Sequence, residues 1–352
     1  MSQIIPFTTS QVSAVSIAAI NASGANTGAA GGGDYRFGGV VLSQSGEPNK
    51  VYAVTGDNYT QILGSALHPV KGAAALSMRY LKEAVGSGTG FVVPVVGADA
   101  KRPVIGIKAS TREDDAHVAV ARVVAFSGEV ATETDELLAI YPIDGDVTNR
   151  TISIQPIKDK SGFFTLKLVK NNANGTSLQQ LNEVVSFDPE AVNEFGGSAY
   201  ITDVLENSKL ASVVFGTAFD ATGFSKLDDV QFTGGTRGDL NKLKAADYEK
   251  AVLELRNYMG EYHAVLPMGL LDPTVIKDLQ AIARDRRIDA FFDVPPTLTY
   301  AAAIEWMKTG GFDSQESCFY HFPYKATDLF FSSAKAVWGI SSIAYGVPPP
   351  LE

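Results

Sequence analysis

The residues able to do chemistry in this 352-residue chain are few and badly spaced for it. Its four histidines, His68, His117, His263 and His321, are isolated, and none falls in a His-x-x-x-His or His-Glu-x-x-His pattern that would place two ligands on one helix face. Glu113-Asp114-Asp115 is a carboxylate run without the further ligands of a calcium loop, so it reads as a solvated turn. Asp289 and Asp293 flank an apolar strand; four residues of strand separate them by roughly 13 Å, too far for paired acid–base work. No Gly-x-Ser-x-Gly elbow is present. The stretch 24–39 is glycine-rich but lacks the Gly-Lys-Ser/Thr ending of a phosphate loop. Gly86-Ser87-Gly88-Thr89-Gly90 precedes a strand, whereas a dinucleotide fingerprint follows one and opens a helix. Catalytic, metal and cofactor residues are therefore expected to be absent, and no cofactor is implied.

Composition narrows the class further. Lysine plus arginine number 29 against 39 aspartate plus glutamate, a net charge of −10, which lacks the basic footprint of a nucleic-acid binder. The single cysteine, Cys318, excludes an intrachain disulfide and lies in the apolar run Cys318-Phe319-Tyr320, where it reads as a small buried core residue. No basic-then-apolar leader and no apolar run near 20 residues is visible, so the expectation is a soluble protein made in a cytoplasm, without a membrane span. The dense basic cluster Arg284, Arg286 and Arg287 ends a predicted helix. Interaction with the helix dipole is one reading, and contact with an acidic patch on a neighbouring subunit is the other.

The elements that would position these residues change character along the chain. Residues 1–35 read as an extended arm, 3–20, followed by a flexible loop containing the glycine–alanine run 28–33. Strands are predicted at 37–42, 51–54 and 91–96, with a helix over 69–85 opened by Pro69 and closed by Gly86. From 97 to 189 the chain is strand-rich, with turns at Asp144-Gly145-Asp146 and 172–175, and reads as an inserted β-rich domain. Beyond 190 helix and strand alternate: helices at 200–208, 245–258, 272–285 and 299–308, strands at 212–215, 262–266, 288–294 and 317–322. The expected fold is α/β, a largely parallel or mixed sheet with flanking helices built from 36–96 with 190–350, plus the insertion.

One ordered set of residues carries a resemblance. Ser186-Phe187-Asp188-Pro189, Tyr200-Ile201-Thr202-Asp203-Val204 with Ser208, Gly234-Gly235, Asp247-Tyr248 and Asp293-Val294-Pro295 follow one another as in the tail sheath proteins of contractile-tailed phages and related particles. Tyr59 to Gly64 and 78–96 resemble the family more loosely. The family's Val-Trp-x-Pro-Pro-Ser-Gly strand is similar to 335–342, but Gly339 and Ile340 replace the prolines, and the family's opening Ser-Pro-Gly-Val is missing from Met1 to Ser10.

The resemblance implies a structural subunit, not an enzyme, forming homo-oligomeric hexameric rings stacked helically around a tail tube protein. A baseplate and a tail terminator would cap the assembly, which forms in the host cytoplasm and resides in the virion. Contraction would drive the tube through the host envelope. The family's C-terminal portion, which faces the tube, has no counterpart before the final Leu351-Glu352, itself read as a cloning remnant. The chain alone is therefore expected to be a monomer or weak oligomer. The alternatives are an α/β hydrolase or nucleotide-binding enzyme, with Asp293 as its best candidate residue, and another tail or baseplate component.

Overall fold

The computed structural model describes residues 35–109, 116–171, 175–312 and 316–346. The arm 3–20, the glycine–alanine run 28–33 and Glu113-Asp114-Asp115 lie outside the described residues. The chain first lays down strands β1 (Phe37–Leu42) and β2 (Tyr52–Val54), a short helix α1 (Tyr59–Leu63), two 3-10 turns, helix α2 (Ser77–Ser87) and strand β3 (Gly90–Val95). Seven strands follow: β4 (Lys101–Lys108), β5 (Val118–Ala125), β6 (Glu136–Pro142), β7 (Arg150–Pro156), β8 (Phe163–Asn171) and β9 (Ser177–Ser186), then helix α3 (Ile201–Ser208) before β10 (Ala211–Phe215). Next come β11 (Leu227–Gln231), α4 (Ala245–Asn257), β12 (Ala264–Leu266), α5 (Pro273–Arg286), β13 (Asp289–Asp293) and α6 (Tyr300–Gly310). Strands β14 (Ser317–Tyr320), β15 (Tyr324–Thr327) and β16 (Lys335–Trp338) and helix α7 (Ser341–Tyr345) complete it.

These elements form two compact units. The first comprises 35–43, 49–95 and 243–346. Its sheet has the order β14-β13-β12-β1-β3-β2, parallel throughout except for β2, with β15 and β16 as a separate antiparallel hairpin. The α/β class expected from the alternation is what the chain adopts. Both faces are covered, because neighbouring residues of a strand point to opposite sides. Phe37 meets Tyr345 of α7 on one face, while Gly38 turns toward Leu255 and Tyr262 on the other. A Cβ on Gly38 would stand 2.8 Å from the Tyr262 ring, so α4 can lie close to β1 only over a glycine. The buried cluster of this unit runs from Phe37, Val41 and Leu63 through Tyr80 and Leu81 to Leu266 and Trp338.

The helix starts follow the sequence signals. Asp272 accepts hydrogen bonds from Thr274 N (2.9 Å) and Val275 N (3.3 Å) ahead of Pro273 at the first turn of α5. Thr299 accepts one from Ala302 N at the start of α6. The helix expected over 69–85 is instead two 3-10 turns, Pro69–Lys71 and Ala73–Leu76, before α2. Gly72, at φ 96°, separates them, a conformation that no helix interior tolerates.

The second unit comprises 44–48 and 96–242. It holds two antiparallel sheets, β10-β6-β4-β5 and β9-β8-β7-β11. Ile105, Ile107, Leu138 and Ile140 of the first share a core with Ile152, Ile154, Leu166 and Leu168 of the second, and α3 adds Ile201 and Leu205. Residues 190–242, grouped with the α/β body by their helix–strand alternation, fall in this unit: β10 pairs with β6, and β11 with β7. The alternation around α3 is thus a strand–helix–strand passage between two antiparallel sheets. Buried ion pairs support the unit; Arg122 holds the fully buried Glu136 carboxylate at 2.9 Å, and Arg150 lies against Asp144 and Asp146.

Candidate functional site

Asp293, the best candidate for chemistry in the sequence, sits at the carboxyl end of β13, where open α/β sheets place their ligands. It has no exposed surface. Its Oδ1 accepts hydrogen bonds from Ile340 N (2.9 Å) and Ser341 N (3.1 Å). One turn apart on α2, Tyr80 and Glu83 face the same segment: Tyr80 Oη accepts from Gly339 N (2.7 Å), and Glu83 Oε1 accepts from Trp338 Nε1 (3.1 Å). Four consecutive residues, 338–341, therefore each donate an N–H to acceptors on α2 and β13. Trp338 is fully buried and edge-on to Tyr324. A Cβ on Gly339 would lie 2.1 Å from Asp293 Oδ1, so the close approach requires glycine.

A proline at 339 or 340 would remove an N–H that this clasp uses, and the φ of −112° at Ile340 is far from the roughly −65° that a proline ring imposes.

The electrostatics suit a structural joint. Burial pushes the Asp293 carboxyl up to about 6, against the backbone hydrogen bonds that favour its charged form. Burial likewise pushes Glu83 up to about 7, with the Asp293 charge adding and the Trp338 hydrogen bond opposing. The Tyr80 hydroxyl is pushed well above its ordinary value by burial and by the two carboxylates. Glu83 Oε2 and the Ser342 hydroxyl are buried without a hydrogen-bond partner among the described residues. Such raised carboxylates could act as general acids in an open cleft. Here Asp293 is closed off and its oxygens grip the backbone, so the arrangement holds chain.

The remaining candidates are dispersed. The point where strand order reverses, between β1 and β12, is filled: Met268 folds over Gly39, and Leu42 N donates to Ser77 Oγ at 3.0 Å. Asp289 accepts from the Tyr35 hydroxyl at the opposite end of β13. His68 Nδ1 accepts from Val70 N, His263 Nδ1 from Arg36 N and His117 Nε2 from Ser225 N, while His321 Nε2 lies 3.1 Å from Leu298 O. Among the described residues no group of three metal-ligating side chains converges. Cys318, expected in the core, is exposed on the outermost strand of the sheet, β14.

The arginine cluster divides. Arg286 donates to the carbonyls of Arg256 (3.0 Å), Tyr258 and Gly260 (3.3 Å) and lies 4.3 Å over the Tyr262 ring, so it closes the carboxyl end of α4. Arg287 ends α5 in the left-handed region at φ 55°, and Arg284 projects beside Asp285; both are exposed. The sequence missed Tyr80, Glu83 and Gly339 as partners of Asp293. The spacing of Tyr80 and Glu83 on one helix face was the signal present.

No family model matches the chain, and no curated protein matches it. Among solved structures, the chain is similar to the sheath tail protein from Desulfitobacterium hafniense, at 13% identity and a TM-score of 0.43, covering 89% of this chain and 57% of that one. It is also similar to the sheath tail protein Lin1278 from Listeria innocua, at 12% identity and a TM-score of 0.49, covering 92% of this chain and 58% of that one. The chain spans less than two thirds of the length of either structure.

Proposed function

We propose that the chain is the structural subunit of a contractile tail sheath, a virion component that stacks as hexameric rings around a tail tube and shortens to drive it through an envelope. The observation that supports this reading most is that the polar residues of the resembling motifs act as joints of the fold. Ser186 Oγ donates to Gly162 O (2.9 Å) and accepts from Asp188 N. Asp247 closes the start of α4 by accepting from Lys244 N (2.8 Å), and Asp293 clasps 340–341. Residues that an enzyme would direct at a substrate instead fix turns and termini. That is what a subunit needs if it is to move as a rigid body in a lattice.

Open stacking requires contacts that do not close on themselves, and Arg284 and Arg287 are proposed to make one such contact to an acidic neighbouring surface. Electron microscopy of cells expressing the complete reading frame that encodes this chain tests the proposal. Hollow tubes of uniform diameter are the expected result; dispersed particles under all conditions, together with saturable turnover of a small molecule, would favour the enzyme reading.

A further inference from the structure

Strand β5 of the second unit is a sheet edge whose backbone is left open. Its eight residues pair with β4 from end to end, and among the described residues with no other strand. Phe126 N donates to Ala100 O, so 126 and 100 are a hydrogen-bonded pair, and this fixes the parity of the whole ladder. Val118, Val120, Arg122 and Val124 therefore turn their backbone groups toward β4, while Ala119, Ala121 and Val123 turn theirs away from the sheet. The next ladder agrees. Gly216 N donates to Leu137 O, so Leu138 and Ile140 face β4 opposite Ile107 and Ile105, which leaves Val104 and Gly106 to bond β5. No described residue hydrogen-bonds to the outward N–H and C=O groups of Ala119, Ala121 and Val123.

The other sheet edges among the described residues are short or blunted, as edges that face water usually are. β2, β14 and β10 have three, four and five residues, and β15 and β16 have four each. β9 is polar and its register slips between Gln179 and Leu181; β11 carries Asp228 and Asp229 and slips between Leu227 and Val230. β5 has none of these devices. Its register is unbroken, it holds no proline, and its single charge, Arg122, is neutralised by Glu136 of its own sheet. Val118 and Val123 are exposed on it.

The pattern of the open groups selects a second copy as the partner. They are centred on Ala121, so a two-fold axis there sets Ala121 against Ala121 and Ala119 against the other copy's Val123, each outward pair exchanging two hydrogen bonds. Arg122 then faces the other copy's Val120. Sliding the strands one way sets Arg122 against Arg122, and like charges directly opposite are unfavourable. Sliding them the other way leaves Val123 without an outward partner in β5.

We propose that two copies of this chain pair antiparallel along β5, with Ala121 on the two-fold axis, and join their four-stranded sheets into one continuous sheet. The contact goes beyond the sheath reading and does not depend on it. A two-fold pair closes on itself, whereas a stacked lattice needs contacts that do not.

Sedimentation velocity and amide hydrogen exchange of the full chain, both from low micromolar to submillimolar concentration, test this. The expected result is a monomer–dimer equilibrium without larger species, with exchange across 118–125 slowing as the dimer fills. Ala121→Lys and Ala121→Glu each set like charges against one another on the axis and should weaken the pair about tenfold or more. An equimolar mixture of the two variants sets Lys against Glu and should associate more tightly than either variant alone. Ala121 is exposed, so unchanged circular dichroism is expected for both variants. A monomer at every concentration or open-ended assembly would overturn the proposal. So would protection of 118–125 that is independent of concentration, because the edge would then be covered within one chain. Variants that pair as well as the parent, or a mixture no tighter than its components, would overturn it too.

Discussion

Raising the pH from 5 to 8 should loosen the clasp around Trp338, and the size of the effect follows from its two buried acids. Glu83 is lifted from an ordinary 4.5 to about 7, and Asp293 from 3.8 to about 6. Over this interval the folded state holds more protons than the unfolded one. The stabilisation is fully present below about pH 4 and is lost as pH rises through 6 and 7. With the partial solvent access of Glu83 allowed for, the loss between pH 5 and 8 is about 3 kcal/mol. Two groups titrate in the opposite sense at lower pH: Asp146 and Asp328 are held below the ordinary carboxylate value by Arg150 and Lys170 and by Arg79, so what they contribute is lost only below about pH 4. His117, lowered by burial, also favours higher pH, but it belongs to the second unit.

The assay must therefore report on the first unit alone. Urea titration followed by Trp338 fluorescence in a Trp306→Phe background does so, since these are the only two tryptophans. Glu83→Gln with Asp293→Asn keeps an acceptor at both positions and should flatten the pH slope. A stability that is level or rises between pH 5 and 8, or a slope that survives the double substitution, would refute the reasoning.

Other consequences are more direct. Ile340→Pro removes one charge-assisted hydrogen bond to Asp293 and forces φ, and should cost about 2–4 kcal/mol by the same titration. Asp328→Ala strands the fully buried Arg79, which Asp328 now holds through Nε at 2.7 Å and Nη2 at 2.9 Å, and should lower stability by about 3–5 kcal/mol. A maleimide should label Cys318 in the native protein as fast as it labels the urea-unfolded chain; protection in the native state would contradict its exposed position on β14. Calorimetric titration with ATP, GTP and NAD should give no binding tighter than millimolar, and saturable micromolar binding would return the enzyme reading to the front.

Much of the α/β unit was legible because its signals are local. The run 37–42 is buried at every position, as a central parallel strand must be, and Asp272-Pro273 and Thr299 mark helix starts by side-chain chemistry alone. Strand β9 was hidden for the opposite reason. Its sequence, Ser177-Leu178-Gln179-Gln180-Leu181, is mostly exposed, and its register slips between Gln179 and Leu181, so no period of two survives. The clasp was out of reach because Asp293 and Ile340 are 47 residues apart in sequence. Nothing in either neighbourhood names the other. Gly339 looks like an ordinary loop glycine until the Asp293 oxygen beside it is seen.

The central pairing of the parallel sheet has a consequence for how the chain is made. β1 is bonded on one side to β3, a near neighbour in sequence, and on the other to β12, with Phe37 opposite Ala264. The whole second unit except 44–48 is synthesised between those two partners. At about 5–20 residues per second, β12 leaves the ribosome roughly 10 to 30 seconds after β3. For that interval the nascent β1 presents an unpaired apolar edge, buried at all six positions in the finished fold, to every other chain on the same messenger. Slow translation across 96–242 would lengthen the exposure, and a holdase chaperone that covers β1 would shorten it. Slowing translation across 96–242 is therefore expected to lower the yield of native protein without changing the stability of the final structure.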